Sequence, residues 1–236
     1  MDMRRELLLE ISVESVDAAM AAERGGASRI EICEDLSVGG VTPAASLMMS
    51  ARASVRVPIF SMIRPRGGDF FYSAAEFSLM GREVVAAKDF GMDGVVFGLL
   101  TREGRIDIAR TARLVELARP LPVTFHRAFD ECSGDLQEAL EDVIETGATR
   151  LLTSGGKRTA PEALDLIGEL VRIAGERLIV MPGSGLHAGN IREAVAKTGA
   201  REFHAGLSSV VRDVAGNIGM FEAEVRRLAE GLRGCD

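Results

Sequence analysis

The chain has 236 residues, 47 % of them hydrophobic, enough for a sizeable buried core. Its formal net charge of −7 argues against general attraction to nucleic acid or anionic membrane. No apolar run is long enough to span a bilayer.

Three scattered cysteines, Cys33, Cys132 and Cys235, suit a reducing compartment better than a disulfide scaffold. The first ten residues carry arginines and a short apolar run that Glu10 stops at once, far short of a signal-peptide core. The expectation is a soluble, cytoplasmic protein.

In chain order, apolar runs at 7–13, 28–33, 57–64, 94–100, 121–128, 150–154, 178–182 and 201–205 are predicted strands. Helical patterns lie between them near 16–25, 43–54, 74–90, 107–118, 136–146, 161–174 and 190–198, with a last one near 220–233. Ser73 with Glu76, and Asp135 with Glu138, have the spacing of capping boxes, and Thr42-Pro43 that of an N-cap followed by a first-turn proline.

Regular alternation through eight units predicts one (β/α)8 TIM barrel domain over residues 1–236 rather than an open doubly wound sheet. A repeat supports this. Four helices run out into Gly26, Gly91, Gly147 and Gly199, each followed within a few residues by an even-numbered strand. Glycine ends a helix at little cost in the left-handed conformation.

Aligning the even strands on those glycines makes Glu31, Val96, Leu152 and His204 equivalent. The odd strands add Glu10, Met62 and His126, with Arg64 one step further along the same face. The alternate residues, among them Leu9, Ile30, Ile59, Phe125 and Leu151, are apolar and are expected to pack on the helices. Glu10, Glu31, Arg64, His126 and His204 then point into the barrel, and Ser12, Cys33 and Ser154 come next toward its C-terminal mouth.

A barrel interior is normally filled with branched aliphatics, and buried carboxylates are costly unless paired. Two readings stay open for this polar set: a structural network, or a site where barrel sites sit, at the C-terminal strand ends.

The turn Arg64-Pro65-Arg66-Gly67-Gly68 offers two guanidinium forks suited to a carboxylate or phosphate. Glycine-rich turns follow strands six and seven, at Ser154-Gly155-Gly156-Lys157 and Gly183-Ser184-Gly185. They resemble anion-cradling elements at helix starts. Together these imply a small anionic ligand held by Arg64, Arg66, Ser154, Gly155, Gly183 and Gly185. In the enzyme reading His126 or His204 moves a proton and Glu10 or Glu31 orients or shares it. Soft donors are also at hand in Cys33, Met62 and Cys132, a set that suits copper(I), although no short ligand spacing occurs.

Met62-Ile63-Arg64-Pro65-Arg66-Gly67-Gly68-Asp69-Phe70, Val123-Thr124-Phe125-His126-Arg127-Ala128-Phe129-Asp130 and Leu151-Leu152-Thr153-Ser154-Gly155 resemble the CutC copper-homeostasis family. Arg29-Ile30-Glu31-Ile32-Cys33 and Gly39-Gly40-Val41-Thr42-Pro43 fit the same pattern. The resemblance implies a cytoplasmic TIM barrel, often a homo-oligomer, linked to copper tolerance and binding copper(I). It implies Cys33 as a metal ligand. Some members carry a second cysteine where this chain has Ser12.

Overall fold

The computed structural model describes residues 7–207 and 210–235. The opening arginines, on which the signal-peptide reading turned, lie outside them. Eight parallel strands run β1 (Leu8–Val13), β2 (Arg29–Ile32), β3 (Ile59–Met62), β4 (Gly94–Phe97), β5 (Val123–Phe125), β6 (Arg150–Thr153), β7 (Ile179–Pro182) and β8 (Glu202–Ala205). They are hydrogen-bonded in the order β7-β6-β5-β4-β3-β2-β1-β8.

The helices α1 (Val16–Gly25), α2 (Ala45–Ser54), α3 (Ala74–Asp89), α4 (Ile108–Ala118), α5 (Leu136–Glu145), α6 (Leu164–Ala174), α7 (Ile191–Thr198) and α8 (Ile218–Arg233) follow one per strand. This is the expected β/α alternation of a TIM barrel. No helix among the described residues is long and apolar enough to cross a membrane.

The four repeat glycines all take positive φ, from 63° at Gly199 to 98° at Gly26, the conformation that reverses a chain after a helix without a Cβ penalty. Every strand is shorter than its apolar run: β2 to β6 stop earlier toward the mouth, whereas β1, β7 and β8 start one residue later. The outward strand residues Leu9, Ile30, Ile59, Phe125 and Leu151 all belong to one cluster with the buried helix faces.

Local signals hold unevenly. Ser73 and Glu76 form the full reciprocal capping box. Asp135 caps α5 by accepting from the Gln137 and Glu138 amides, so it supplies the N-cap half of the expected box. Thr42 does not cap α2, which starts at Ala45 without a side-chain cap. Its hydroxyl instead accepts from the Arg64 amide at 2.8 Å and donates to Glu83 at 2.9 Å. A tertiary bond at the end of β3 outcompetes the local one.

The floor of the barrel is ionic. Arg29, two residues before Glu31 on β2, bonds both Glu10 and Glu202, the latter at 2.7 Å. Arg150 on β6 reaches Glu202 at 2.6 and 3.1 Å. Both guanidinia lie over the Phe60 ring, at 4.8 and 5.4 Å from its centroid, where the quadrupole favours cations. Gly94 leaves room for that ring, since a Cβ there would stand 2.5 Å from it. Two buried cations and two buried carboxylates cancel one another, which makes the layer affordable in a dry interior.

Candidate functional site

Above that floor the strand ends open into a cavity of about 830 Å³. Its wall includes Ser12, Glu31, Met62, Arg64, His126, Arg127, Arg158, Ser184, Gly185 and His204. Glu10 and His204 stand opposite each other in the pairing of β1 and β8. One Glu10 oxygen bonds His204 Nδ1 at 2.8 Å, and the other is taken by Arg29. His204 Nε2 then lies 4.0 Å from Glu31 Oε1. Glu31 Oε2 is buried and has no partner among the described residues.

Glu10, Glu31 and His204 thus form a line from the floor to the cavity, their ligand atoms within 4.8 Å of one another. Glu10 is neutralised by Arg29, in the layer directly below, together with His204.

The environments push the two carboxyls apart. Burial alone would raise Glu10, but the Arg29 charge and the bond and charge of His204 outweigh it and hold the group at about 2. Glu31 has no such cation in contact. Burial lifts it to about 7, with His204 pulling down and Glu10 pushing up. Burial opposes the His204 imidazolium, yet Glu31 and Glu10 together raise it. Glu31 is therefore the carboxyl whose proton is exchangeable near neutrality, a property suited to general acid–base work.

Arg64 is 4 % exposed. Its guanidinium donates to the carbonyls of Val38, Gly40 and Gly68 at 2.8 to 3.0 Å and stacks over Phe70. Its Nε has no partner, and no carboxylate among the described residues is in ion-pair range of it. His126 packs on the same Phe70 ring, at 4.9 Å between centroids. Its Nδ1 accepts from the Ala128 amide at 3.2 Å, while Nε2 is buried and unpartnered. Burial, aided by the Arg64 charge, pushes its pKa down to about 3. This imidazole is neutral at physiological pH.

Other expected residues are placed elsewhere. Arg66 turns away from the cavity to Glu76 at 2.6 Å and Asp69 at 3.0 Å, tying the turn to the start of α3. The amides of Ser154 and Gly156, and the Ser154 hydroxyl, point at the Asp130 carboxylate, and the Gly155 amide is taken by Thr153 Oγ1. The anion in the turn after β6 is the chain's own. Gly183 sits against Leu152 and the His204 side chain, where a Cβ would collide, and so lets β7 approach that imidazole. Gly185 and Ser184, both at positive φ, form part of the cavity wall.

The soft donors are split. Cys33 is fully buried with Phe60, Met62 and Val96, its thiol reaching the Val13 carbonyl at 3.7 Å. Burial, with Glu31, Glu14 and Glu34 adding to it, pushes that thiol well up. Cys33 and Met62 both flank Gly40, whose Cβ would stand 3.3 Å from the one sulfur and 3.4 Å from the methyl of the other. Cys132 packs against the main core instead, and burial with the nearby Asp130 raises it to about 12.

Copper(I) favours thiolate and thioether ligands. The oxygen and imidazole donors of Glu10, Glu31 and His204 do not fit it, and two of the four carboxylate oxygens and one ring nitrogen there are already engaged. Cys33 with Met62 fits in donor type alone.

Arg29, Arg150 and Glu202 escaped the sequence analysis, as did Arg127 and Arg158 in the cavity wall. The first three had a signal. Each lies two residues before an inward position already assigned by the repeat, and so on the same strand face.

A family model described as the CutC family matches residues 7–209. A CutC family protein from Chromobacterium violaceum is 46 % identical over 217 residues, covering 90 % of this chain and 87 % of that protein. The human "Copper homeostasis protein cutC homolog" is 47 % identical over 202 residues, 86 % of this chain and 74 % of its own length. Among solved structures, a candidate copper homeostasis protein CutC from Streptococcus agalactiae superposes with a TM-score of 0.80 at 30 % identity, covering 84 % of this chain and 98 % of that one. With a family model and relatives that agree over most of its length, this chain belongs to the CutC family.

Proposed function

We propose that the chain serves copper homeostasis, the role for which its human relative is named, and that it works through the cavity at the barrel mouth as an acid–base site for a small anionic molecule. Arg64 carries this reading. A buried guanidinium that faces carbonyls and no carboxylate is costly unless a ligand brings the negative charge. Arg127 and Arg158 also border the cavity, but each is paired within the chain, Arg127 with Asp130 at 2.8 Å and Arg158 with Glu162 at 3.6 Å. That leaves Arg64 as the guanidinium without a carboxylate partner among the described residues lining it. Glu31 supplies a proton that can be given or taken near pH 7, beside a His204 imidazole whose pKa the neighbouring carboxylates raise.

The test is calorimetric titration with small carboxylates and inorganic phosphate. Binding weakened at least tenfold by Arg64→Ala, in a variant that remains folded, supports the reading. Binding indifferent to Arg64 defeats it.

A second reading treats copper(I) as cargo bound by Cys33 and Met62, favoured by their shared position beside Gly40. Chelator competition on reduced protein, wild type beside Cys33→Ser, decides it. Tight binding lost in the variant supports a thiolate site, and equal binding in both removes it. The cytoplasmic setting inferred from the cysteines and a homo-oligomeric state remain part of this proposal, to be checked by fractionation and by sedimentation.

A further inference from the structure

Three buried polar atoms without a partner among the described residues, Glu31 Oε2, His126 Nε2 and Arg64 Nε, belong to side chains in the wall of one cavity. Buried polar groups are rarely left without partners, and a cluster of exceptions calls for a ligand to complete it. The three differ in kind. Glu31 Oε2 is a carboxyl oxygen, an acceptor when ionised. His126 Nε2 is a donor, because Nδ1 already accepts from the Ala128 amide and the neutral ring then carries its hydrogen on Nε2. Arg64 Nε is a cationic donor.

We propose that these groups take a small carbonyl compound bearing a carboxylate or phosphate, and that they exchange a proton on the carbon next to the carbonyl. The proposal deepens the acid–base reading above and rests on it. The anionic group lies at Arg64. The carbonyl oxygen accepts the His126 Nε2 hydrogen. Ionised Glu31 removes the adjacent proton, so that the C–H bond breaks, its electron pair becomes the C=C bond of an enolate, and the negative charge moves to the oxygen held by His126. Return of the proton from Glu31 to the same carbon re-forms the C–H bond and the carbonyl and completes the exchange. No oxidant or metal is consumed.

The fold supports each role. His126 stays neutral because burial holds its pKa at about 3. It therefore donates a hydrogen bond without bringing a second full charge beside Arg64, and such a neutral imidazole can polarise a carbonyl. Its ring is fixed by Phe70 on one side and by Gly98 on the other, where a Cβ would stand 2.6 Å from Nδ1. Glu31 brings an unpartnered carboxyl oxygen to the same cavity wall, so no bond within the protein has to break before it takes the proton. Behind it stands His204, anchored to Glu10 at 2.8 Å and with Nε2 4.0 Å from the other Glu31 oxygen.

The experiment has two parts. Long-range 15N–1H spectra of the wild-type protein report the His126 tautomer. A neutral ring protonated on Nε2 through the physiological range is expected, and a ring that titrates near neutrality or carries its hydrogen on Nδ1 overturns the assignment. The protein is then incubated in D2O with pyruvate and with dihydroxyacetone phosphate, while acetate and inorganic phosphate serve as anions without an exchangeable position. Deuterium entering beside the carbonyl, lowered by about 10²-fold or more in Glu31→Gln and by about 10²-fold in His126→Gln, supports the proposal.

Anion binding that depends on Arg64 without any exchange above buffer overturns the enolisation step and leaves the anion reading standing. Absence of binding by all four probes defeats both. Exchange that survives both substitutions assigns it to other groups and overturns the roles of Glu31 as base and His126 as donor.

Discussion

Replacing Glu31 by glutamine removes a carboxyl whose proton burial holds on up to about pH 7. In the folded chain its proton leaves near pH 7, whereas in the unfolded chain it leaves near the ordinary 4.5. Between those values the folded state binds more protons than the unfolded state, so stability falls as pH rises and the loss is complete above pH 7. At about 1.4 kcal/mol per pH unit the whole loss is about 3 kcal/mol.

His204 acts in the same direction. Its raised pKa lends stability that is present in acid and disappears as pH rises through the folded value. Glutamine has no proton to lose, and without the Glu31 charge the His204 contribution shrinks too. Urea unfolding of both proteins between about pH 5 and pH 8 measures the difference directly. The variant is expected to gain on the wild type by about 3 kcal/mol across that range, whatever constant offset the lost carboxylate introduces. A difference that stays flat with pH, or one in which the wild type gains as pH rises, refutes the argument.

Arg29→Met leaves Glu10 and Glu202 facing each other without their shared cation. A loss of about 3–5 kcal/mol in chemical denaturation is expected, because two carboxylates then lie buried and underpaired. Gly94→Ala drives a methyl into the Phe60 ring from 2.5 Å, and a loss of about 1–3 kcal/mol by thermal unfolding is expected from overpacking. Asp130→Ala empties the turn after β6, where Ser154 and Gly156 amides lose their acceptor. Amide exchange there should speed up by at least tenfold, and inorganic phosphate should bind this variant more tightly than wild type. Unchanged exchange at those amides contradicts the assignment of Asp130 as the resident anion.

The barrel was legible because two periodicities agreed. Helices ending in glycine at Gly26, Gly91, Gly147 and Gly199 fixed the repeat, and alternation within each strand fixed which side chains face inward. From that phase alone Glu10, Glu31, His126 and His204 fall on one face, where the structure has them.

Partnership was harder to see. Arg29, Arg150 and Glu202 occupy the same face two residues earlier, inside the predicted strands, but which of them meet across the barrel shows only once the register is known. Arg66 and Arg64 flank one proline and look alike in sequence. Their different fates depend on Glu76, Asp69 and three carbonyls brought up by folding. The glycine turn after β6 resembled an anion cradle and is one, but Asp130 from the preceding loop fills it. A motif gives the shape of a binding element. It does not say which groups the rest of the chain delivers to it.

If Arg64, Glu31 and His204 act as one site, anion binding there is linked to a proton. Calorimetric titration of wild-type protein with pyruvate and with phosphate, repeated near neutral pH in two buffers of different ionisation heat, measures that link. Binding with uptake of a fraction of a proton per anion is expected, because the incoming negative charge favours the protonated Glu31–His204 pair. Anion binding with no proton uptake, unchanged in Glu31→Gln, would contradict it.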